Sequence, residues 1–348
     1  MATTGVVIDV RSPGEYKHGH LPGSVSLPLF TDEERKVVGT AYKQESREKA
    51  IKTGLDYFGP KMRPMVETVE ALLEERSLDK NTPLCLYCWR GGMRSGAVAW
   101  LLQLYGFKIK VLAGGYKAFR NHVLQTFEKD FSFKVLGGYT GSGKTEILHA
   151  LREKGEIVID LEALANHKGS AFGNIGMPEQ PTQEMFENQL ALELHKLRTD
   201  SDEDSSGARP NSYLSPIWIE DESQRIGLLN IPHPLWKRLR QSPVHFLDAP
   251  FEERLRHIVA EYGTLDKVRL AEAISRITKR LGGLQTKQAL QYLEEEAVTE
   301  CFSILLSYYD KHYQKALQNR ENLDNLLIRI PCETTGASNI HLLTSITV

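Results

Sequence analysis

The segment "FSFKVLGGYTGSGKTEIL" (131–148) constrains the fold more than any other. An apolar run ends in glycine, a turn of small residues follows, and a helix-compatible stretch opens at Lys144. The spacing G-x-x-x-x-G-K-T is filled by Gly138, Gly143, Lys144 and Thr145, with Thr140, Gly141 and Ser142 in the turn. Such a turn points backbone N–H groups at a phosphate chain, and glycine tolerates the curvature this needs. Lys144 adds a point charge, and the Thr145 hydroxyl is placed to hold Mg²⁺. A strand feeding a turn and then a helix is the repeating unit of a parallel α/β sheet.

The surrounding pattern agrees. Val- and Ile-rich runs at 156–160, 216–221 and 243–248 read as further strands of the same sheet, and 264–326 reads as mainly helical. Carboxylates follow two of these runs: Asp160 closes "EIVID", and Glu220, Asp221 and Glu222 follow "PIWI". An acid at a strand end near a phosphate loop is a candidate metal or substrate contact, although acids in turns are also ordinary surface residues. His167 and Ser170 in "NHKGSAFG" either touch substrate or shape the turn after Asp160. Arg225 is a candidate for neutralising phosphate. No second cysteine pair or histidine pair completes a zinc site, so no metal is firmly assigned.

The first third repeats the alternation. Strands are expected at 5–10, 24–29, 83–88 and 108–115, with helices at 60–77, 93–105 and 116–128. In "LYCWRGGMRSG" a strand delivers Cys88 to a glycine turn that runs into a helix. The amides of Gly91, Gly92 and Met93 and the cations Arg90 and Arg94 surround one thiol. These surroundings favour thiolate and suit an anionic group on or beside the sulfur. Cys85 falls earlier on the strand and is expected to face the other side, as a packing residue; a Cys85/Cys88 redox pair is the alternative. Cys301 and Cys332 read as packing residues.

A chain of 348 residues fits two domains, and the boundary is placed near 129, giving 1–128 and 129–348. With 41% hydrophobic and 25% charged residues it reads as globular. Four unevenly spaced cysteines make no disulfide framework. No apolar run reaches membrane-span length and the first sixteen residues lack a signal-peptide pattern, so the expectation is a cytoplasmic protein with no membrane partner. A net charge of −2 gives no global attraction to nucleic acid, so RNA binding must rest on local basic surface. "HPLWKRLR" (233–240) and "RITKRLGGLQTK" (276–287) offer Lys237, Arg238, Arg276, Lys279 and Arg280 for that role, or are simply solvated helices. The low-complexity stretch 199–212 is expected to be a surface loop.

Residues 1–128 resemble a rhodanese domain in three segments taken in order: "VIDVRSPGEYKHGHLPGSVSLPL" (7–29), the cysteine loop, and "VLAGGYKAFR" (111–120). In that resemblance Asp9 and Arg11 brace the fold, His20 belongs to a turn, and Cys88 carries a persulfide- or perselenide-type group. The spacing C-x5-R is also a phosphatase pattern. A rhodanese-like domain fused to a phosphate-loop domain resembles the tRNA 2-selenouridine synthase family. "DLEALANHKGSAFG" (160–173), "FENQLALEL" (186–194), "IEDESQRIG" (219–227) and "DAPFEERLRHIVAEY" (248–262) carry the likeness beyond generic motifs.

The resemblance implies an α/β fold: an N-terminal rhodanese-like parallel-sheet domain, then a P-loop NTPase-like α/β domain with a helical C-terminal part. It implies a transferase acting on the wobble 2-thiouridine of tRNAs for Lys, Glu and Gln, through the anticodon arm. Geranyl diphosphate and selenophosphate are then substrates, no cofactor is tightly bound, Mg²⁺ is a candidate companion ion, and a selenophosphate-supplying enzyme is a candidate partner. Rival readings are a P-loop kinase with a regulatory module, and a sulfurtransferase or phosphatase working through Cys88.

Overall fold

The computed structural model describes residues 5–202 and 216–344. The chain forms two compact α/β units: 5–126 with 187–192, and 127–186 with 193–202 and 216–344.

The first unit is built on a four-stranded parallel sheet. Its strands are β1 (Val6–Asp9), β2 (Val25–Ser26), β3 (Leu84–Tyr87) and β4 (Ile109–Val111), in the order β2-β1-β3-β4. Central β1 and β3 bury Ile8, Leu84 and Leu86 completely, as strands covered on both faces require. Two expected strands are shorter than their apolar runs. The run 24–29 is a strand only at Val25–Ser26, beyond which Leu27 N and Leu29 N still donate to Asp9 O and Val10 O at 2.8 and 3.3 Å. After Val111 the chain leaves the sheet for a turn in which Gly114 and Gly115 adopt φ of +73° and +58°.

Helices Met62–Glu75, Met93–Tyr105 and Gly115–Thr126 occupy the expected places. Two further helices, Asp32–Gln44 and Arg47–Phe58, come from polar sequence with weak periodicity. Their starts are fixed by Thr31 accepting from Glu34 N and Ser46 accepting from Lys49 N, at 3.2 and 3.0 Å. Asp9 and Arg11 are buried as an ion pair of 2.6 Å, with the guanidinium 3.8 Å from the Tyr116 ring centre. His20 stacks on Tyr16 and bonds its carbonyl in a turn.

The second unit carries β5 (Phe133–Gly138), β6 (Val158–Ile159), β7 (Ile217–Glu220), a small antiparallel hairpin of β8 (Arg225–Ile226) and β9 (Leu229–Asn230), β10 (Val244–Asp248) and β11 (Leu327–Pro331). Its parallel sheet has the order β11-β10-β5-β7-β6, so the strand ahead of the phosphate loop is central. Segment 264–326 supplies helices Lys267–Arg276, Thr278–Leu281, Gly283–Glu294, Val298–Gln318 and Leu323–Leu326. Leu270, Ala273, Ile274, Leu305 and Leu306 give them a core with Phe172 and Leu255. The low-complexity stretch does not start as a loop: helix Gln183–Asp202 runs through its first residues, and 203–212 lie outside the described residues. No helix among the described residues is long and apolar enough to cross a membrane.

Candidate functional site

Two strand-turn-helix elements hold the residues with chemistry, one in each unit. In the first, Cys88 follows β3 and is 3% exposed. Gly92 N donates to Sγ at 3.3 Å, and the Ser95 hydroxyl lies 3.2 Å from it. Burial pushes the thiol up, but hydrogen bonds from the Ser95 hydroxyl and from the amides of Ser95, Gly92 and Arg90 outweigh it and hold the thiol below its ordinary value. The donors that matter are therefore a hydroxyl and amides. Arg94 forms a bidentate pair with Glu15, at 2.7 and 3.4 Å, while Arg90 and Met93 are exposed on the loop. Ser95 was legible only as a small residue in the first turn of a helix.

The loop is seated by the glycine turn after β4. Tyr116 N and Lys117 N donate to the carbonyls of Cys88 and Trp89, both at 2.9 Å. A β-carbon on Gly115 would lie 2.3 Å from Cys88 O and 2.5 Å from Gly91 N, so only glycine fits there. The other cysteines differ. Burial raises the thiols of Cys85 and Cys332, and pushes Cys301 up to about 11. Cys85 is half-buried within β3, while Cys88 lies past the strand end.

In the second unit, the turn after β5 enters helix Lys144–Glu153. Its shape is held from outside. Arg254, 3% exposed, donates to Thr140 O at 3.2 Å and to both oxygens of Asp310 at 2.8 Å. Tyr313 Oη accepts from Gly138 N at 3.2 Å and donates to Asp221 at 2.7 Å, and Asp221 pairs with Arg320. Gly143 has φ of +77°, and a β-carbon there would meet Gly336 N at 2.3 Å. Lys144 Nζ donates to Gly138 O at 3.0 Å, and the Thr145 hydroxyl to Glu162 at 3.3 Å.

The turn opens on a cleft of about 1220 Å³. Thr140, Gly141, Gly143, Lys144, Thr145, Asp160, Ser170, Asp221, Glu222 and Arg280 line it; Gly138, Ser142, His167, Glu220, Arg225, Lys237, Arg238, Arg276 and Lys279 do not. Asp160 caps helix Leu161–Ala165 through Ala163 N at 2.8 Å and faces His149 at 3.2 Å. Glu220 is buried and accepts from Glu162 N at 2.8 Å, while its second oxygen has no partner. Burial raises Glu220, with Asp160 and Glu162 adding to it, and burial with Glu162 raises Glu222. Asp221 is tied to Tyr313 and Arg320 as a brace of the turn. His167 is held low by burial. Arg225 bonds Gly227 O, Arg276 bonds Ala171 O, and Arg238 pairs with Asp130. Lys237 and Lys279 are exposed.

Sequence reasoning missed Glu162, two positions after Asp160, and the cleft's apolar wall. Phe172, Tyr262 and, from the single helix Val298–Gln318, Phe302, Leu305, Leu306 and Tyr309 line it. Trp236 and Arg240, four apart on helix His233–Arg240, also line it, while Leu235 and Leu239 enter the core. Among the described residues no three His, Cys, Asp or Glu side chains converge to hold a metal ion.

Comparison with known proteins bears on both units. Residues 131–327 match the family model described as the tRNA 2-selenouridine synthase AAA domain, and residues 1–122 match the rhodanese-like domain model. The tRNA 2-selenouridine synthase of Nitrosomonas eutropha is 32% identical over 362 residues, covering 90% of this chain and 89% of the relative. That of Hydrogenovibrio crunogenus is 36% identical over 346 residues, covering 90% of each. That of Marinobacter nauticus is 32% identical, covering 93% of this chain and 90% of the relative.

Proposed function

The chain belongs to the tRNA 2-selenouridine synthase family, and from that premise we propose that it modifies tRNA in two steps, S-geranylation of wobble 2-thiouridine followed by replacement of the S-geranyl group with selenium. One observation carries the first step: the phosphate turn around Lys144 opens on the same cleft as an aromatic and aliphatic wall. A prenyl diphosphate has a phosphate end for the turn and a hydrocarbon end for Phe172, Phe302 and Leu305. The thiocarbonyl sulfur attacks C1 of the geranyl chain, and diphosphate leaves with the C–O electron pair. Lys144 and the turn amides stabilise the charge that develops on it. Mg²⁺ arriving with the diphosphate would meet the Thr145 hydroxyl and Glu162, with phosphate and water completing its shell, as suits an ion that keeps few protein ligands.

The cleft exceeds the roughly 300–1,000 Å³ of a single small-molecule site. The excess leaves room for the acceptor base, against the flat ring of Trp236. Alkylation turns the sulfur into a leaving group. The Cys88 loop, where thiolate is favoured, is assigned to the selenophosphate step. The substrate reading extends to the anticodon arms of tRNAs for Lys, Glu and Gln, and a selenophosphate-supplying enzyme would serve the second step.

Mass spectrometry of nucleosides from 2-thiouridine-containing tRNA, incubated with the protein and both donors, tests the proposal. Geranyl diphosphate alone should give S-geranyl-2-thiouridine, and both donors 2-selenouridine. Absence of the geranylated nucleoside in the first incubation sinks the reading.

A further inference from the structure

The loop after β3 has the form Cys-x5-Arg-Ser, and the fold brings its last member back to its first. Ser95 Oγ lies 3.2 Å from the Cys88 sulfur, and Gly92 N 3.3 Å from it. Arg94 is oriented by two hydrogen bonds to Glu15, which use two of its five N–H donors. Arg90 is exposed on the same loop. A turn that brings Gly92 N and the Ser95 hydroxyl to the sulfur, and carries Arg90 and Arg94 within the same seven residues, matches a group that carries several anionic oxygens on the sulfur. A single selenium atom offers far less to bond.

Electron counting points the same way. The selenium of selenophosphate is already at the selenide level, and so is the sulfur of a thiolate. Joining them in an S–Se bond needs an external oxidant, or requires phosphorus to depart with the electron pair as phosphite. Attack at phosphorus needs neither. We propose that Cys88 takes the phosphoryl group of selenophosphate and releases selenium as hydrogen selenide, a deepening that rests on selenophosphate being the donor.

The thiolate attacks the phosphorus of monohydrogen selenophosphate, an S–P bond forms, and the P–Se pair leaves on selenium, which takes the donor's own P–OH proton and departs as HSe⁻. Hydrogen selenide adds to C2 of the S-geranylated base, its proton passes to N3, and geranylthiolate departs with the C–S pair and is protonated by water. Water then attacks the S-phosphocysteine, giving phosphate and restoring the thiolate, to which the Ser95 hydroxyl donates. No atom changes oxidation state. The proton that selenium carries away comes from the donor itself, so the loop needs no acid of its own.

The test uses the full-length protein, an S-geranylated anticodon stem-loop and radiophosphorus-labelled selenophosphate, quenched within the first turnover. Label should appear on the peptide holding Cys88, and phosphorus NMR should find phosphate as the product. Ser95→Ala should accumulate several-fold more label, because restoring the thiolate loses its hydrogen-bond donor. Cys88→Ser should carry no turnover-linked label. Phosphite as product, with radioselenium on Cys88, overturns the proposal. Selenation by the wild type with no protein-bound phosphorus in the first turnover overturns it while leaving the donor reading intact. No 2-selenouridine from selenophosphate under any condition defeats the donor reading, and the proposal falls with it.

Discussion

In the first unit the turn after Leu84–Tyr87 closes on a sulfur that the chain itself supplies, with a hydroxyl 3.2 Å away and an amide donating to it at 3.3 Å. In the second, the turn after Phe133–Gly138 is edged by a lysine whose ammonium bonds that turn's own carbonyl, Gly138 O, at 3.0 Å. Both are strand, glycine turn and helix start, and both use orphan amides at a helix N-terminus. The difference lies in where the negative charge originates. A turn built round an internal anion can be satisfied by neutral donors. A turn built for an external polyanion keeps a cation at its edge. Under the proposed chemistry the same backbone device serves a nucleophile in one place and a leaving group in the other.

The contrast is broken most directly by Cys88→Ser, which should abolish selenation and leave geranylation unchanged in nucleoside mass spectra; equal loss of both steps would merge the two sites. Shortening the donor from geranyl to dimethylallyl diphosphate removes five carbons from the apolar wall. At about 0.8 kcal/mol per buried methylene this weakens donor use by up to roughly a thousandfold, read as kcat/KM. An unchanged value would deny that wall its role.

Lys144→Ala removes charge-assisted hydrogen bonds of about 1.5–3 kcal/mol, so geranyl transfer should fall roughly 10- to 100-fold while selenation of pre-geranylated tRNA persists. Gly143→Ala forces a side chain into a left-handed conformation against the Gly336 backbone, and calorimetry should show a loss of about 1–3 kcal/mol with weaker donor binding.

The smallest effect is a shift in pH. The thiolate of Cys88 is favoured, so its alkylation by iodoacetamide should rise through a midpoint below that of an ordinary thiol. Ser95→Ala, by removing a donor to the thiolate, should move that midpoint upward. Cys301, pushed up to about 11, should stay unreactive in the native protein across the same range. A Ser95→Ala midpoint that does not move would leave the amides alone in charge of the sulfur.

How far the site could be read from the chain depended on how local its chemistry is. The phosphate turn is one continuous segment, so Gly138, Gly143, Lys144 and Thr145 were recognisable from spacing. The thiol loop is equally continuous, but its electrostatics are not local: Arg94 is oriented by Glu15, seventy-nine residues away, and the hydroxyl of Ser95 reaches the sulfur. The seat of that loop, Gly115 against Cys88, joins segments separated by β4 and its approach. Strand β11 escaped notice because a short run containing Arg329 and Pro331 follows a long helical stretch, and pairing with β10 alone makes it a strand.

The acids show the same limit. Glu220, Asp221 and Glu222 look alike in a line, yet Glu220 ends the strand in the interior, while in the turn beyond it Asp221 is tied to Tyr313 and Arg320 and Asp221 and Glu222 border the cleft.

Sequence by itself therefore determined two parallel α/β units and the position of each glycine turn, because strand, glycine turn and helix start are properties of contiguous residues. Only tertiary structure decided which donors reach Cys88, which carboxylate faces the cleft, and that an apolar wall adjoins Lys144. Those outcomes depend on side chains far apart in the chain being driven together by burial, and burial follows from the packing of whole elements.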